Sequence, residues 1–91
     1  MNQTISITIS GKVQGVYYRQ SAKEKARELG LTGQVTNLRD GNVQIVATGT
    51  AEQLAAFTDW CKKGPPRAVV AGVEIIEIPL KQFDRFTIER F

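Results

Sequence analysis

From Thr4 to Ser10 the chain alternates without a lapse: Ile5, Ile7 and Ile9 fall on one side of an extended backbone, and Thr4, Ser6, Thr8 and Ser10 on the other. This is the period of a strand with one buried face, because successive side chains in a strand point to opposite sides. A sheet that is apolar on one face must hide it under another layer, so the same chain has to supply the cover. Two segments have the pattern to do so. Ala22, Ala26 and Leu29 recur at helical spacing while Lys23, Glu24, Arg27 and Glu28 take the outer face, and Gly30 offers a C-terminal cap. Further on, Thr50 with Gln53 three residues later predicts a capping box. Leu54, Phe57 and Cys61 then form one stripe beside Trp60, and Gly64-Pro65-Pro66 ends the helix.

The remaining segments read as strands. Leu31 to Leu38 and Asn42 to Thr48 flank Asp40-Gly41, a dipeptide that favours the left-handed conformations of a tight hairpin. A fourth strand lies within Ala68 to Ile78 and stops at Pro79, and Phe83 to Phe91 reads as extended, with Phe86 and Ile88 on one face. The order is therefore β-α-β-β-α-β with an extended tail. It predicts an α+β, ferredoxin-like sandwich: an antiparallel four-stranded sheet, two helices on one face and an extended C-terminal strand. Trp60, Phe57 and Phe86 belong to its core. With 91 residues and 42% hydrophobic content, residues 1–91 are expected to form a single domain. In such a sandwich the first and second strands run in the same direction with the third between them. The loop after Ile9 and the end of the second strand near Asn37 then share one edge.

Composition removes several kinds of chemistry. The sequence has no histidine, which excludes histidine acid–base catalysis, phosphohistidine intermediates and histidine-rich metal sites. No carboxylate cluster has metal-site spacing, and Asp40 is accounted for by its hairpin turn, so neither metal nor cofactor is expected. Cys61 sits on the apolar stripe of the second helix, which makes it a core residue rather than a nucleophile. As the one cysteine it cannot form an internal disulfide, and Met1-Asn2-Gln3-Thr4 lacks the basic-then-apolar start of a secretory signal. No apolar run approaches the length of a membrane span. A soluble, cytoplasmic monomer is the expectation. The net charge of +3 suits an anionic ligand but is spread too thinly along the chain to demand nucleic acid. An RNA-reading sheet would need aromatics on its central strands, whereas the first strand carries isoleucines and hydroxyl residues and the third has no aromatic.

The stretch Gly11-Lys12-Val13-Gln14-Gly15-Val16-Tyr17-Tyr18-Arg19 leads from a strand into a helix, where unpaired N–H groups and the helix dipole favour an anion. Gly15 lets the backbone curl around it. Arg19 falls in the first helical turn, where positive charge opposes the dipole at a cost of about 0.3–1 kcal/mol unless an anion offsets it. Its planar fork of donors matches phosphate oxygens. On spacing alone, turn-making glycines and a solvated arginine explain the pattern equally well, and Asn37 reads as an ordinary residue near a turn.

The same residues carry a resemblance. Ile9-Ser10-Gly11-Lys12-Val13-Gln14-Gly15-Val16-Tyr17-Tyr18-Arg19 resembles the first acylphosphatase signature: Val-Gln-Gly-Val and, after two further residues, arginine. Gly33-Gln34-Val35-Thr36-Asn37-Leu38-Arg39-Asp40-Gly41-Asn42-Val43, continuing to Gly49, resembles the second. The sequence departs from the family pattern at Tyr18, where phenylalanine or methionine is usual, at Gln34, where an aromatic is preferred, and at Thr36, usually a longer polar or basic residue. The resemblance implies hydrolysis of the carboxyl–phosphate bond of a small-molecule acyl phosphate, releasing inorganic phosphate. It implies a phosphate-binding loop of Gln14, Gly15, Val16, Tyr17, Tyr18 and Arg19, with Arg19 and Asn37 as catalytic residues, Asn37 orienting the water. The chemistry suits such sparse equipment, because the departing carboxylate comes from an acid of pKa about 4 and needs no proton donor. Gln14 and Val16 are expected to shape the cradle through their backbone, and Lys12 to be a solvated charge that draws anions in. Tyr17 either lines the pocket mouth or lies on the surface, and the Tyr18 hydroxyl either finds a partner or points to solvent. A non-catalytic anion- or ligand-binding module on the same fold is the alternative.

Overall fold

The computed structural model describes residues 1–90. Its elements are β1 (Gln3–Lys12), α1 (Tyr18–Glu28), β2 (Thr32–Asn37), β3 (Val43–Gly49), α2 (Ala51–Lys63), β4 (Val69–Ile78) and β5 (Phe86–Glu89). The sheet order is β4-β1-β3-β2-β5. β1 is antiparallel to β3 and to β4, and β2 is antiparallel to β3, so β1 and β2 do run in the same direction with β3 between them.

The sheet has five strands rather than the four expected. The tail joins it as β5, parallel to β2 with Val35 opposite Ile88. Burial explains why: Phe86 is fully enclosed and meets Phe57 edge to face at 6.0 Å. The strand starts at Phe86 instead of Phe83, and Phe91 lies outside the described residues. β4 and β5 occupy opposite edges, so the segment 79–85 has to span the sheet, at the end where β1 and β2 begin. Lys81 fastens it there. Its N–H donates to Thr4 Oγ1 at 2.9 Å, and Thr48 Oγ1 donates to its carbonyl at 2.6 Å.

The core lies between sheet and helices, as the alternation in β1 requires. Ile7, Ile9, Val35, Val43 and Ile45 meet Ala22, Ala26, Leu54, Phe57 and Cys61, all buried. Each large aliphatic side chain so enclosed contributes about 1.5–3 kcal/mol. α1 ends as Gly30 allows: at φ 79° its N–H donates to the Arg27 carbonyl, and Leu31 N–H reaches the Ala26 carbonyl, a Schellman closure. The β2–β3 hairpin closes through Leu38 N–H to Asn42 O at 2.8 Å and Gly41 N–H to Leu38 O at 3.2 Å. Only Gly41 is left-handed there, and Asp40 contributes by accepting the Asn42 N–H at 2.9 Å. Pairing of β1 with β4 shifts register between Ser10 and Gly11, a local irregularity that re-aims the chain as it leaves the sheet. No helix among the described residues is long and apolar enough to cross a membrane.

Candidate active site

The loop between β1 and α1 is built to leave its amides free. Gly15 has φ 74° and Tyr17 φ 64°, while Val16 between them is not left-handed, so the hand alternates along the three residues. Alternation of this kind turns successive N–H groups toward one concavity. From Gln14 to Gln20 no backbone N–H finds an acceptor among the described residues, and Ser21 N–H, bonded to Tyr17 O at 3.0 Å, is the first to be engaged. Tyr17 precedes α1 without a side-chain cap, and the first turn carries no acid. A non-glycine residue held left-handed costs about 1–2 kcal/mol, and Tyr17 is the one described residue that does so.

The amides open on a cleft of about 540 Å³. Gly15, Tyr17, Tyr18 and Arg19 line it from the loop, and Asn37 from the end of β2. The structure therefore brings together the two side chains that the sequence singled out, from segments distant along the chain. Strand alternation explains the approach of Asn37: it is in phase with Val35, on the helix side, at the edge where α1 begins. Arg19 is half-buried, and its guanidinium has no carboxylate partner among the described residues. The Asn37 carboxamide hydrogen-bonds to none of the described residues, and its Oδ1 is buried without a donor. An unpaired polar group so enclosed is costly until something binds it.

Other loop residues hold the frame. Val16 packs into the core. Gln14 does more than lend its backbone: its Nε2 donates to Leu38 O at 2.8 Å and to Asn42 O at 2.9 Å, tying the loop to the hairpin that carries Asn37. Tyr17 lines the cleft and is also 74% exposed, so its two expected placements coincide at the mouth. The Tyr18 hydroxyl has a partner, donating to the Cys61 carbonyl at 2.7 Å, and its ring packs against Trp60 at 5.4 Å. Burial, more than the neighbouring Cys61, raises the Tyr18 pKa well above the ordinary phenol value, so the hydroxyl keeps its proton. Cys61 is fully enclosed, and burial pushes its thiol up to about 12, which keeps it un-ionised at neutral pH. Asp40 is engaged within its turn.

Three cleft residues from beyond α1 and β2 were not anticipated: Arg67, Ile88 and Arg90. Strand register places them. Val69 pairs with Lys12, which sets Arg67 beside the loop; Glu89 pairs with Thr36, which sets Arg90 beside Asn37. Arg90 also frames, with Arg19, Thr36, Asn37 and Glu89, a smaller hollow of about 270 Å³ on the Asn37 side.

An uncapped helix start beside a cleft lined by three arginines, at the edge of a split β-α-β sheet, characterises this α+β sandwich. The chain belongs to the acylphosphatase family, whose model matches residues 5–88. It is 59% identical over 76 residues to an acylphosphatase of Marinobacter nauticus, covering 84% of this chain and 83% of that protein. Among solved structures, an acylphosphatase from Coxiella burnetii superposes with a TM-score of 0.94 at 42% identity, over 97% of this chain and 93% of that one. The acylphosphatase from Bacillus subtilis gives 0.93 at 33% identity, over 98% and 99%.

Proposed function

We propose that this cleft hydrolyses acyl phosphates to a carboxylate and inorganic phosphate. The loop amides and Arg19 gather the phosphoryl oxygens, and Asn37 aligns the water behind phosphorus. One observation carries the reading: backbone donors and a carboxamide, both without partners among the described residues, border the same cleft. The phosphoryl oxygens of an acyl phosphate dianion carry no proton and only accept hydrogen bonds, so they suit the amides and the guanidinium but leave the Asn37 carbonyl unmet. A water meets it, donating one O–H and keeping a lone pair for phosphorus. Oδ1 is shielded in the resting structure, and no hydrogen bond opposes the rotation that turns it into the cleft.

The step balances without a cofactor. The water oxygen bonds to phosphorus, the acyl oxygen leaves with the electron pair as carboxylate, and both water protons end on phosphate, the substrate's own oxygens serving as base. Positioning and charge stabilisation supply most of the catalysis in such transfers. We take residues 1–91 as one acylphosphatase-like domain, a reading supported by a single buried cluster fed from both helices and the sheet, and place it as a monomer in the cytoplasm, where the lone Cys61 thiol would persist.

The test is release of phosphate from benzoyl phosphate with a chelator present. Arg19→Ala is expected to lose about 10³-fold or more in kcat/KM and Asn37→Ala about 10²–10³-fold, the scale of one lost transition-state donor. Full turnover in both variants would reject the site.

A further inference from the structure

The cleft holds more positive charge than a phosphoryl group needs. Arg19, Arg67 and Arg90 all line it, no acidic residue does, and none of the three has a hydrogen bond or ion pair with a described residue. Their placement is not symmetrical. Arg90 shares the smaller hollow with Asn37 and follows β5, the neighbour of β2. Arg67 precedes β4, on the far side of β1 from Asn37 and outside that hollow. In an in-line displacement the water and the departing group lie on opposite sides of phosphorus. With the water at Asn37, the acyl group departs on the Arg67 side.

The backbone at Arg67 is also held in place. It occupies the third position of a turn closed by Ala68 N–H to the Pro65 carbonyl at 3.0 Å, and Pro66 before it has a fixed φ. That turn is seated on the anion loop. A Cβ at Gly64 would come within 2.9 Å of the Tyr18 ring, whose hydroxyl is tied to the end of α2 through the Cys61 carbonyl. An arginine on a braced turn, facing a cleft and with no partner among the described residues, is a site for a second anion.

Resting on the hydrolase reading above, we infer that Arg67 forms an acyl-side anion subsite, which selects acyl phosphates whose acyl group carries a second negative charge, such as a distal carboxylate or phosphate. Arg67 is a specificity residue in this assignment, and Arg90, on the water side, assists phosphoryl binding whatever the acyl group.

A matched pair of substrates tests it: glutaryl monophosphate, with a free distal carboxylate, and pentanoyl phosphate, of the same chain length without one. The native protein is expected to favour the glutaryl compound by about tenfold in kcat/KM, mostly through KM, since a contact made equally in ground and transition states appears there. Arg67→Ala should bring the ratio of the two kcat/KM values close to one, Arg67→Lys should keep part of the preference, and raised salt should erode it. Arg90→Ala should lower both values and leave their ratio unchanged. Equal losses on both substrates in Arg67→Ala, or no preference in the native protein, would overturn the subsite. Hydrolysis of neither compound by the native protein would instead overturn the hydrolase reading.

Discussion

The two helices begin in opposite ways. α2 is closed by its own sequence: Thr50 Oγ1 accepts from Gln53 N–H at 3.2 Å, Gln53 Oε1 accepts from Thr50 N–H at 2.9 Å, and Glu52 adds an acid to the first turn. α1 has none of this. Its N-terminal neighbour Tyr17 is left-handed and caps nothing, its first turn has no acid, and Arg19 stands where the dipole disfavours a cation. Both helices pack on the same sheet, so packing does not explain the contrast. At α1 the groups that would close the helix stay unengaged among the described residues, as the proposed phosphate site requires, and the rest of the fold, including a well-capped α2, is consistent.

The contrast breaks first at Arg19. Its replacement by alanine is expected to produce the loss of 10³-fold or more already described while leaving stability equal or slightly higher, because an unfavourable charge has left the helix start. A parallel fall in thermal stability would mean that Arg19 is structural. Next in size is the response to inorganic phosphate. An anion that completes the α1 terminus must stabilise the native state by about 2.7 kcal/mol at 100 times its dissociation constant. In a chain of this length that raises Tm by about 10 °C or more. Thermal unfolding with phosphate, against chloride at equal ionic strength, measures it, and Arg19→Ala should abolish most of the shift. No shift in the native protein would mean that the open terminus binds no anion.

How much of this was legible beforehand follows from where each signal resides. The capping box, the Schellman glycine and the alternation of β1 are local, and each was readable from residues a few positions apart. The glycine-bearing loop between β1 and α1 was readable as a pattern, and family resemblance joined Asn37 to it, in the cleft that both line. Arg67 and Arg90 were not readable, because their positions depend on how the outermost strands pair. β4 carries exposed Ile75 and Ile76 on successive positions, so it shows no clean alternation to fix a face. The tail displayed its period in Phe86 and Ile88, yet nothing local says that it pairs in parallel with β2. Gln14 and Tyr18 escaped for a third reason. Their partners are backbone carbonyls, 24 to 43 residues away, and a carbonyl has no signature in the sequence.

Gln14 sharpens the comparison, since it is the tether that the uncapped helix start has in place of a cap. Gln14→Ala removes two hydrogen bonds from the Leu38 and Asn42 carbonyls, worth about 1–2 kcal/mol together. Because those bonds join the β1–α1 loop to the hairpin bearing Asn37, kcat is expected to fall about tenfold while inhibition by phosphate weakens less. Denaturant unfolding and steady-state kinetics on one preparation read both. Equal losses in kcat and phosphate affinity would reduce Gln14 to a part of the loop alone.

The smallest effect belongs to the helix that is already closed. Thr50→Ala deletes the acceptor for Gln53 N–H and should cost about 1 kcal/mol, within the range of about 0.5–2 kcal/mol for lost N-caps. In a chain of this length that lowers Tm by about 4–8 °C. Thr50 borders neither the cleft nor the loop, so kcat/KM at a temperature well below the transition should stay as it was. Arg19→Ala and Thr50→Ala then form a crossed pair, one lowering activity and sparing stability, the other the reverse. If Thr50→Ala also slowed turnover in the fully folded protein, the two termini would be coupled through the Tyr18–Cys61 bond, and the division between a helix start kept for the fold and one kept for the ligand would fail.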